Sequence, residues 1–245
     1  MIKEPLISVV IPTYNEGRYL PDILKSIDAQ TYKNYKVVIA DYNSDDNTQK
    51  IAKEHGAELV TIRKRGISVA KNKGLKLSRG DITAFIDADY ILSQTLFKSV
   101  VRTFSDPRNE KVVAIEPSVR VNNKDLNRKQ RAKFKLMSRA INIYKRLSYY
   151  GNVPAAYGCV FCRSDAVKKA GNFNENIQIS EDKEFFSRLR VHGKFLMIKD
   201  TARMSYRRHA KDGILHTELL YFYSTMAAFL VKKFGRHHVP IRGKN

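Results

Sequence analysis

The sequence predicts an α/β fold in which a mostly parallel central sheet is flanked by helices. Three observations carry this. Short apolar, β-prone runs at residues 7–12, 36–41, 58–62 and 82–86 alternate with helical periodicity, and a β-α-β-α-β-α-β order at short spacing calls for parallel strands with right-handed crossovers. Three of the runs end at polar groups, Thr13, Asp41 and Asp87, and in open parallel sheets ligands bind beyond the carboxyl ends of the strands. The intervening turns contain neither G-x-G-x-x-G nor G-x-x-x-x-G-K-S/T, which argues against the usual dinucleotide fold and a P-loop.

Taken in order, residues 7–12 form a buried strand that Pro12 stops from pairing further. The turn Thr13-Tyr14-Asn15-Glu16-Gly17 leads into a helix whose apolar face is Leu20, Ile23, Leu24 and Ile27. Residues 36–41 make the second strand, and Ser44, Asp45 or Asp46 caps the helix that runs to His55. A third strand at 58–62, a helix at 67–77 closed by Gly80, and the strand ending in Asp87 complete the repeating half. The second half is less regular, with a helix near 95–104, a strand at 112–121 and a long basic segment at 124–150. There Phe134, Met137, Ile141 and Tyr144 recur at helical spacing among Arg131, Lys135, Arg139, Lys145 and Arg146, the pattern of a basic amphipathic helix or of a surface helix packed on the sheet. A strand at 157–162, a helix near 165–170 and the turn Gly171-Asn172-Phe173-Asn174-Glu175 follow. Ser180 caps a helix over 181–192 with Phe185, Phe186 and Leu189 facing the core, and 194–199 is a strand. The last helix, 214–234, is apolar almost all round, with Lys232, Lys233, Arg236, His237 and His238 flanking its C-terminal end. The expected division is a catalytic domain at 1–212, in halves 1–92 and 93–212, and a separate aromatic and basic helix at 213–245.

A hydrophobic content of 43% with 28% charged residues describes a folded globular chain. The balance of 45 basic against 24 acidic residues, a net charge of +21, is unusual and attracts polyanions: nucleic acid, anionic lipid head groups or phosphorylated substrates. Only Cys159 and Cys162 are present, which excludes a disulfide framework; a lone C-x-x-C pair is a weak zinc or redox signal and reads in preference as core cysteines in a reducing compartment. Met1 leads directly into a strand, so no secretory leader is expected, and the apolar run at 219–231 is too short to span a bilayer. The expected location is cytoplasmic.

Chemistry concentrates at Asp87-Ala88-Asp89. In extended chain the two carboxylates point the same way and repel unless a cation lies between them, and a divalent ion, Mn2+ or Mg2+, is the usual solution. A structural reading competes: Asp89 or Ser93 caps the helix starting near Gln94, and Asp87 is solvated. Glu181 and Asp182 admit the same pair of readings, because the macrodipole favours acidic residues at a helix N-terminus.

The ordered motifs Val-Val-Ile-Pro-Thr-Tyr-Asn-Glu, Val-Ile-Ala-Asp, Gly66-x-Ser68-x-Ala70-Lys71-Asn72-x-Gly74 and Phe-Ile-Asp-Ala-Asp, with Gly171-Asn172-Phe173-Asn174-Glu175 before Ser180-Glu181-Asp182, resemble glycosyltransferase family 2 from about residue 7 to 213. The resemblance implies a GT-A fold that binds a nucleoside-diphosphate sugar. Pro12, Thr13 and Glu16 would lie along the nucleoside and Asp41 would accept a hydrogen bond from the base. Asp87 and Ala88 would approach the ribose or sugar, and Asp89, with Asp87, the metal on the diphosphate. Lys71 stands where the family often has arginine and would bind the nucleotide sugar through its positive charge without a bidentate fork, and Asp182, with Glu181 beside it, would be the catalytic base. The family's usual Asp-Asp-Gly-Ser is here Asp41-Tyr42-Asn43-Ser44. The ending Ser205-Tyr206-Arg207-Arg208, with Arg207 and Arg208 set towards the donor, resembles smaller members without the Q-x-x-R-W box of processive polymerases.

What this implies is an inverting, metal-dependent transfer of one sugar to a sugar hydroxyl or a polyprenyl-phosphate-type acceptor. The basic helices would rest on the cytoplasmic face of an anionic membrane, or the last helix would pack on the sheet or on a second subunit in a homodimer. Two rivals follow from charge and fold. A nucleic-acid-binding protein would use the +21 surface, yet no helix-turn-helix, zinc-finger or RNP pattern accompanies it, so no specific nucleic acid is expected. A nucleotidyltransferase on a similar sheet would need an N-terminal glycine-rich phosphate loop that is missing.

Overall fold

The computed structural model describes residues 4–122, 126–150, 158–177 and 181–205. The chain divides into compact units at 1–206 and 207–245, and every described residue lies in the first. The expected cap at Ser180, the pair Arg207 and Arg208, and the helix at 214–234 lie outside the described residues.

The repeating half is β1 (Ile7–Thr13), α1 (Leu20–Asp28), β2 (Tyr35–Asp41), α2 (Thr48–Glu54), β3 (Glu58–Thr61), α3 (Ile67–Leu77) and β4 (Ile82–Ile86). Beyond it come β5 (Tyr90–Leu92), α4 (Leu96–Ser105), β6 (Val112–Val121), α5 (Arg128–Tyr150), β7 (Cys159–Arg163), α6 (Ser164–Ala170), α7 (Glu181–Arg190) and β8 (Lys194–Met204). The strands form one eight-stranded sheet in the order β3-β2-β1-β4-β7-β6-β8-β5. The pairs of β1 with β2 and β4, and of β2 with β3, are parallel, as is β6 with β8. β7 runs antiparallel to β4 and β6, and β5 antiparallel to β8. The sheet is thus parallel through its first half and mixed beyond it.

Alternation along β1 divides the core between the two faces of the sheet. Val9 and Ile11 join the apolar cluster that holds Leu20, Ile23 and Ile27 of α1 and Phe97 of α4, whereas Val10 joins Phe85, Phe173, Phe185 and Phe186. α3 crosses β1 at Gly74, where a Cβ would lie 2.3 Å from Val10 Cγ1, so only glycine lets the helix come this close. Cys159 and Cys162 are buried in β7, and burial pushes both thiols far above their ordinary range, so they behave as core apolar groups.

Several local expectations are corrected. Pro12 does not end the pairing of β1: it sits in register with Ala40, and the ladder continues to Thr13 and Asp41. The ladder to β4 has already stopped at Val10 and Phe85, so the missing N–H falls where β1 has become an edge on that side. Asn47, not Ser44 or Asp45, occupies the N-cap of α2, while Asp46 accepts from the backbone and hydroxyl of Thr48. α4 starts at Leu96 behind Thr95, so neither Asp89 nor Ser93 is its N-cap residue. β8 runs five residues further than expected, to Met204, because its extension pairs with the end of β6 on one side and with β5, which the sequence pattern did not reveal, on the other. On α5, Phe134 and Ile141 are buried, so that stripe packs against the sheet, and Lys145 is buried beside Glu116 of β6 instead of facing solvent.

Candidate active site

The carboxyl ends of β1, β2 and β4 meet at one edge of the sheet. Asp41 is fully buried at the end of β2. Its Oδ1 accepts from Thr13 Oγ1 at 2.7 Å and Ser44 Oγ at 2.6 Å, and its Oδ2 from Ser44 N and Gln49 Nε2, both at 2.9 Å. An ionised carboxylate offers about four acceptor positions, so the chain itself fills them, and a nucleobase would reach Asp41 only by displacing one of these donors. The loops after β1 and β2 are laced together as well. Asn15 N donates to Ser44 Oγ, Asp45 N to Asn15 Oδ1, and Gly17 N to Asp46 Oδ2. Burial opposes ionisation of Asp46, but the donors on Thr48 and Gly17 outweigh it and hold the carboxyl below its usual range. Asn43 has φ 41°, so it takes the left-handed conformation for which a glycine is the easier residue, and asparagine is among the few that tolerate it. Tyr42 packs its ring 5.0 Å from that of half-exposed Tyr14, making an aromatic rim that motif reading did not single out. Glu16 lies on the same loop, its N–H donating to Thr48 Oγ1.

Asp87, Ala88 and Asp89 form a turn between β4 and β5 instead of continuing the strand. Ala88 is buried and both carboxylates are half-buried. Asp87 N donates to Gly158 O at 2.7 Å, and Asp89 O accepts from Ser205 N at 3.0 Å. Gly158, at φ 40°, lies so close that an added Cβ would sit 2.5 Å from Asp87 Oδ2. The sequence analysis did not single out this glycine, because its pairing with Asp87 depends on the antiparallel registration of β7 with β4.

Lys71 of α3 reaches the first turn of α7. Its Nζ lies 3.1 Å from Glu181 Oε1 and forms a short ion pair with Asp182 Oδ1, and it sits 5.2 Å from the centre of the Phe173 ring. Burial would lower the lysine's pKa, but Asp182, Glu181 and Asp87 outweigh it and hold the ammonium charged well above its ordinary range. The lysine side chain is 2% exposed, whereas Glu181 and Asp182 are 10% and 23% exposed. The neighbouring Asn72 pins the approach to α7, donating to Phe173 O and accepting from Phe173 N. Arg188 braces the same loop through Ala170 O, Asn172 O and Glu184. The adjacent pair Lys71-Asn72 therefore ties the helix of the first half to the acidic helix of the second. Burial pushes Lys183, one residue further along α7, down to about 8.

Asp87 and Asp89 are hard oxygen donors, the set that suits Mg2+ and Mn2+. Among the described residues no group of three or more His, Cys, Asp or Glu side chains gathers as a metal site. Two carboxylates with the remaining ligands from a diphosphate and water fit the way Mg2+ is commonly held in phosphate-handling sites.

Residues 8–171 match the family model described as Glycosyl transferase family 2. The chain belongs to glycosyl transferase family 2. Among curated members of related sequence is the minor teichoic acid biosynthesis protein GgaB of Bacillus subtilis, 28% identical over 213 residues, which cover 82% of this chain and 23% of that protein. The chain therefore spans about a quarter of the length of that relative. Two solved structures share the GT-A fold. The mannosyltransferase PcManGT from Pyrobaculum calidifontis, in complex with GDP-Man and Mn2+, superposes with a TM-score of 0.64 at 19% identity, covering 96% of this chain and 77% of that one. S. aureus TarS 1-349 in complex with UDP superposes at 0.63 and 18% identity, covering 92% and 65%.

Proposed function

We propose that this member of the family transfers a single sugar from a nucleoside-diphosphate sugar to an acceptor hydroxyl, with inversion at the anomeric carbon. The observation that supports this reading best is the Lys71–Glu181–Asp182 centre, which presents the partly exposed carboxylate of Asp182 close to Asp87. An acceptor hydroxyl is a poor nucleophile and needs a positioned base. Asp182, the more exposed of the two, takes the hydroxyl proton as the acceptor oxygen attacks the anomeric carbon and the bond to the diphosphate breaks. Glu181 shares the lysine and holds the cluster together. Lys71 offsets the repulsion between these carboxylates and keeps Asp182 at one place, so its charge is committed to the acceptor side instead of the diphosphate.

The nucleoside lies along Pro12, Thr13 and Glu16, with the rings of Tyr14 and Tyr42 beside it, and Asp41 acts by fixing the shape of that loop. Asp87 and Asp89 would hold the divalent ion, which when bound neutralises charge on the departing diphosphate. A panel of nucleotide sugars followed by NMR tests the reading: the expected result is metal-dependent turnover of at least one donor to a product of inverted anomeric configuration. Retention of configuration, or no turnover of any donor with any hydroxyl acceptor, would overturn it.

Attachment to an anionic membrane surface draws on another face. Leu136, Ile143 and Leu147 stand 69%, 59% and 63% exposed at helical spacing on α5, the apolar edge that an interfacial helix presents. Among the described residues no helix is long and apolar enough to cross a membrane. Co-sedimentation with phosphatidylglycerol vesicles that is lost in Leu136→Ser/Ile143→Ser is expected; protein that stays in the supernatant at low salt removes this reading.

A further inference from the structure

A second concave surface plays no part in the chemistry derived above. A groove of about 1310 Å³ is lined by α5, β6 and β8. α5 lines it with Arg131, Lys135, Arg139 and Arg146, the strands add Arg120, Lys199 and Arg203, and among the described residues Asp22 is the one carboxylate on its wall. All seven cations stand exposed, and among the described residues none of them forms a salt bridge with a carboxylate. Positive charge gathered in a concave wall focuses its field and raises the local concentration of anions.

The arrangement says what kind of anion fits. Arg131, Lys135 and Arg139 recur one helical turn apart, about 6 Å each, and Arg131 to Arg146 spans about 22 Å of helix. A single phosphate engages one or two members of such a row, whereas an extended chain of phosphates engages all of it. A flat bilayer meets the rim of a groove but not cations on both of its walls. Among the described residues the only aromatic ring on the wall is Phe134, which is 4% exposed, so the bases of a nucleic acid would find no stacking platform there. The lining of the groove includes none of the site residues described above, but one end of it starts close to them in the chain. Ile91 on its wall is two residues beyond Asp89 and pairs with Arg203, and Asp89 O accepts from Ser205 N.

We propose that this groove binds the acceptor, and that the acceptor is an extended chain of phosphodiester groups joined by hydroxyl-bearing units. The phosphates lie along the α5 cations, and the Ile91 end leads one of the hydroxyls towards the Asp89 turn. The inference rests on the transferase reading above.

The test is calorimetric titration of the full chain, without donor, with glycerol-phosphate oligomers of increasing length. Inorganic phosphate, mixed-sequence single-stranded RNA and phosphatidylglycerol vesicles serve as comparison probes, and donor affinity is measured separately. Affinity is expected to rise with oligomer length and to fall with salt. R131Q/K135Q/R139Q should weaken it by at least about tenfold at low salt and reduce the log–log salt slope by about 2. K199Q/R203Q on the opposite wall should weaken it in the same sense, with melting temperature and donor affinity unchanged in both variants. Affinity that does not depend on length, or that ignores both sets of substitutions, overturns the proposal. RNA that binds as tightly as the oligomers would assign the groove to nucleic acid, and vesicles that displace them with the same variant dependence would assign it to membrane. Absent oligomer binding with intact donor binding sinks this inference alone, whereas failure of every donor to bind removes the transferase reading beneath it.

Discussion

Lys71 and Lys145 are both buried against carboxylates, yet the two centres are built differently. Lys145 of α5 meets Glu116 in the middle of β6, and both side chains are 0% exposed. Lys71 of α3 is nearly as enclosed and so is Glu181, but its other partner, Asp182, keeps an open side. A sealed pair can fasten a helix to a sheet, whereas a carboxylate with one open side can also meet a substrate and take its proton. Burial of a lysine thus distinguishes nothing here; the exposure of its partner does. The same contrast separates Asp41, whose acceptor positions the chain fills, from Asp182.

The largest effect expected is at the donor side. Asp89→Ala should abolish metal-dependent turnover and the metal dependence of donor binding by calorimetry, with the unfolding midpoint unchanged, since the side chain packs no core. Equal donor affinity with and without chelator in the unaltered protein would remove the metal from the account.

Next comes the sealed pair. Lys145→Met leaves Glu116 charged in the core and should cost about 3–5 kcal/mol in urea unfolding, while Lys145→Met/Glu116→Leu should recover most of that. Activity per folded molecule should be the same in both. A double variant as unstable as the single one would show that the pair belongs to a larger polar network.

Gly158→Ala sharpens the comparison from the other side, because its Cβ would push directly on Asp87 Oδ2. The expected cost is about 1–3 kcal/mol, divided between stability and metal affinity; unchanged metal titration would free Asp87 from dependence on β7.

The smallest effect concerns Lys183, which burial pushes down to about 8. Between that pH and the ordinary lysine range the unfolded chain carries a proton that the folded chain has released, so stability rises with pH across this window. Lys183→Met should flatten that rise in urea midpoints measured from pH 7 to 10.

Much of this was legible in the sequence because it is local. The strands of the repeating half, the face of α1 and the polar strand ends follow from period and turn chemistry. The mixed half was not legible in the same way, since the antiparallel placement of β7 and the partnership of β5 with β8 are set by long-range pairing. Lys145 shows the limit clearly. Its helical phase lets it flank the apolar stripe of Phe134 and Ile141, and only the position of Glu116 across the interface turns it inward. Lys71 and Asp182 were both singled out by their motifs, but their contact across more than a hundred residues could be seen only in three dimensions.

The central claim is that Asp182 is a base and not merely an acidic residue favoured by a helix start. Steady-state transfer by Asp182→Asn, measured beside its donor affinity, tests it most directly. The account predicts a fall in transfer of about 10²–10⁴ with donor binding retained. Near-normal transfer by this variant would contradict it and return Asp182 to the helix dipole.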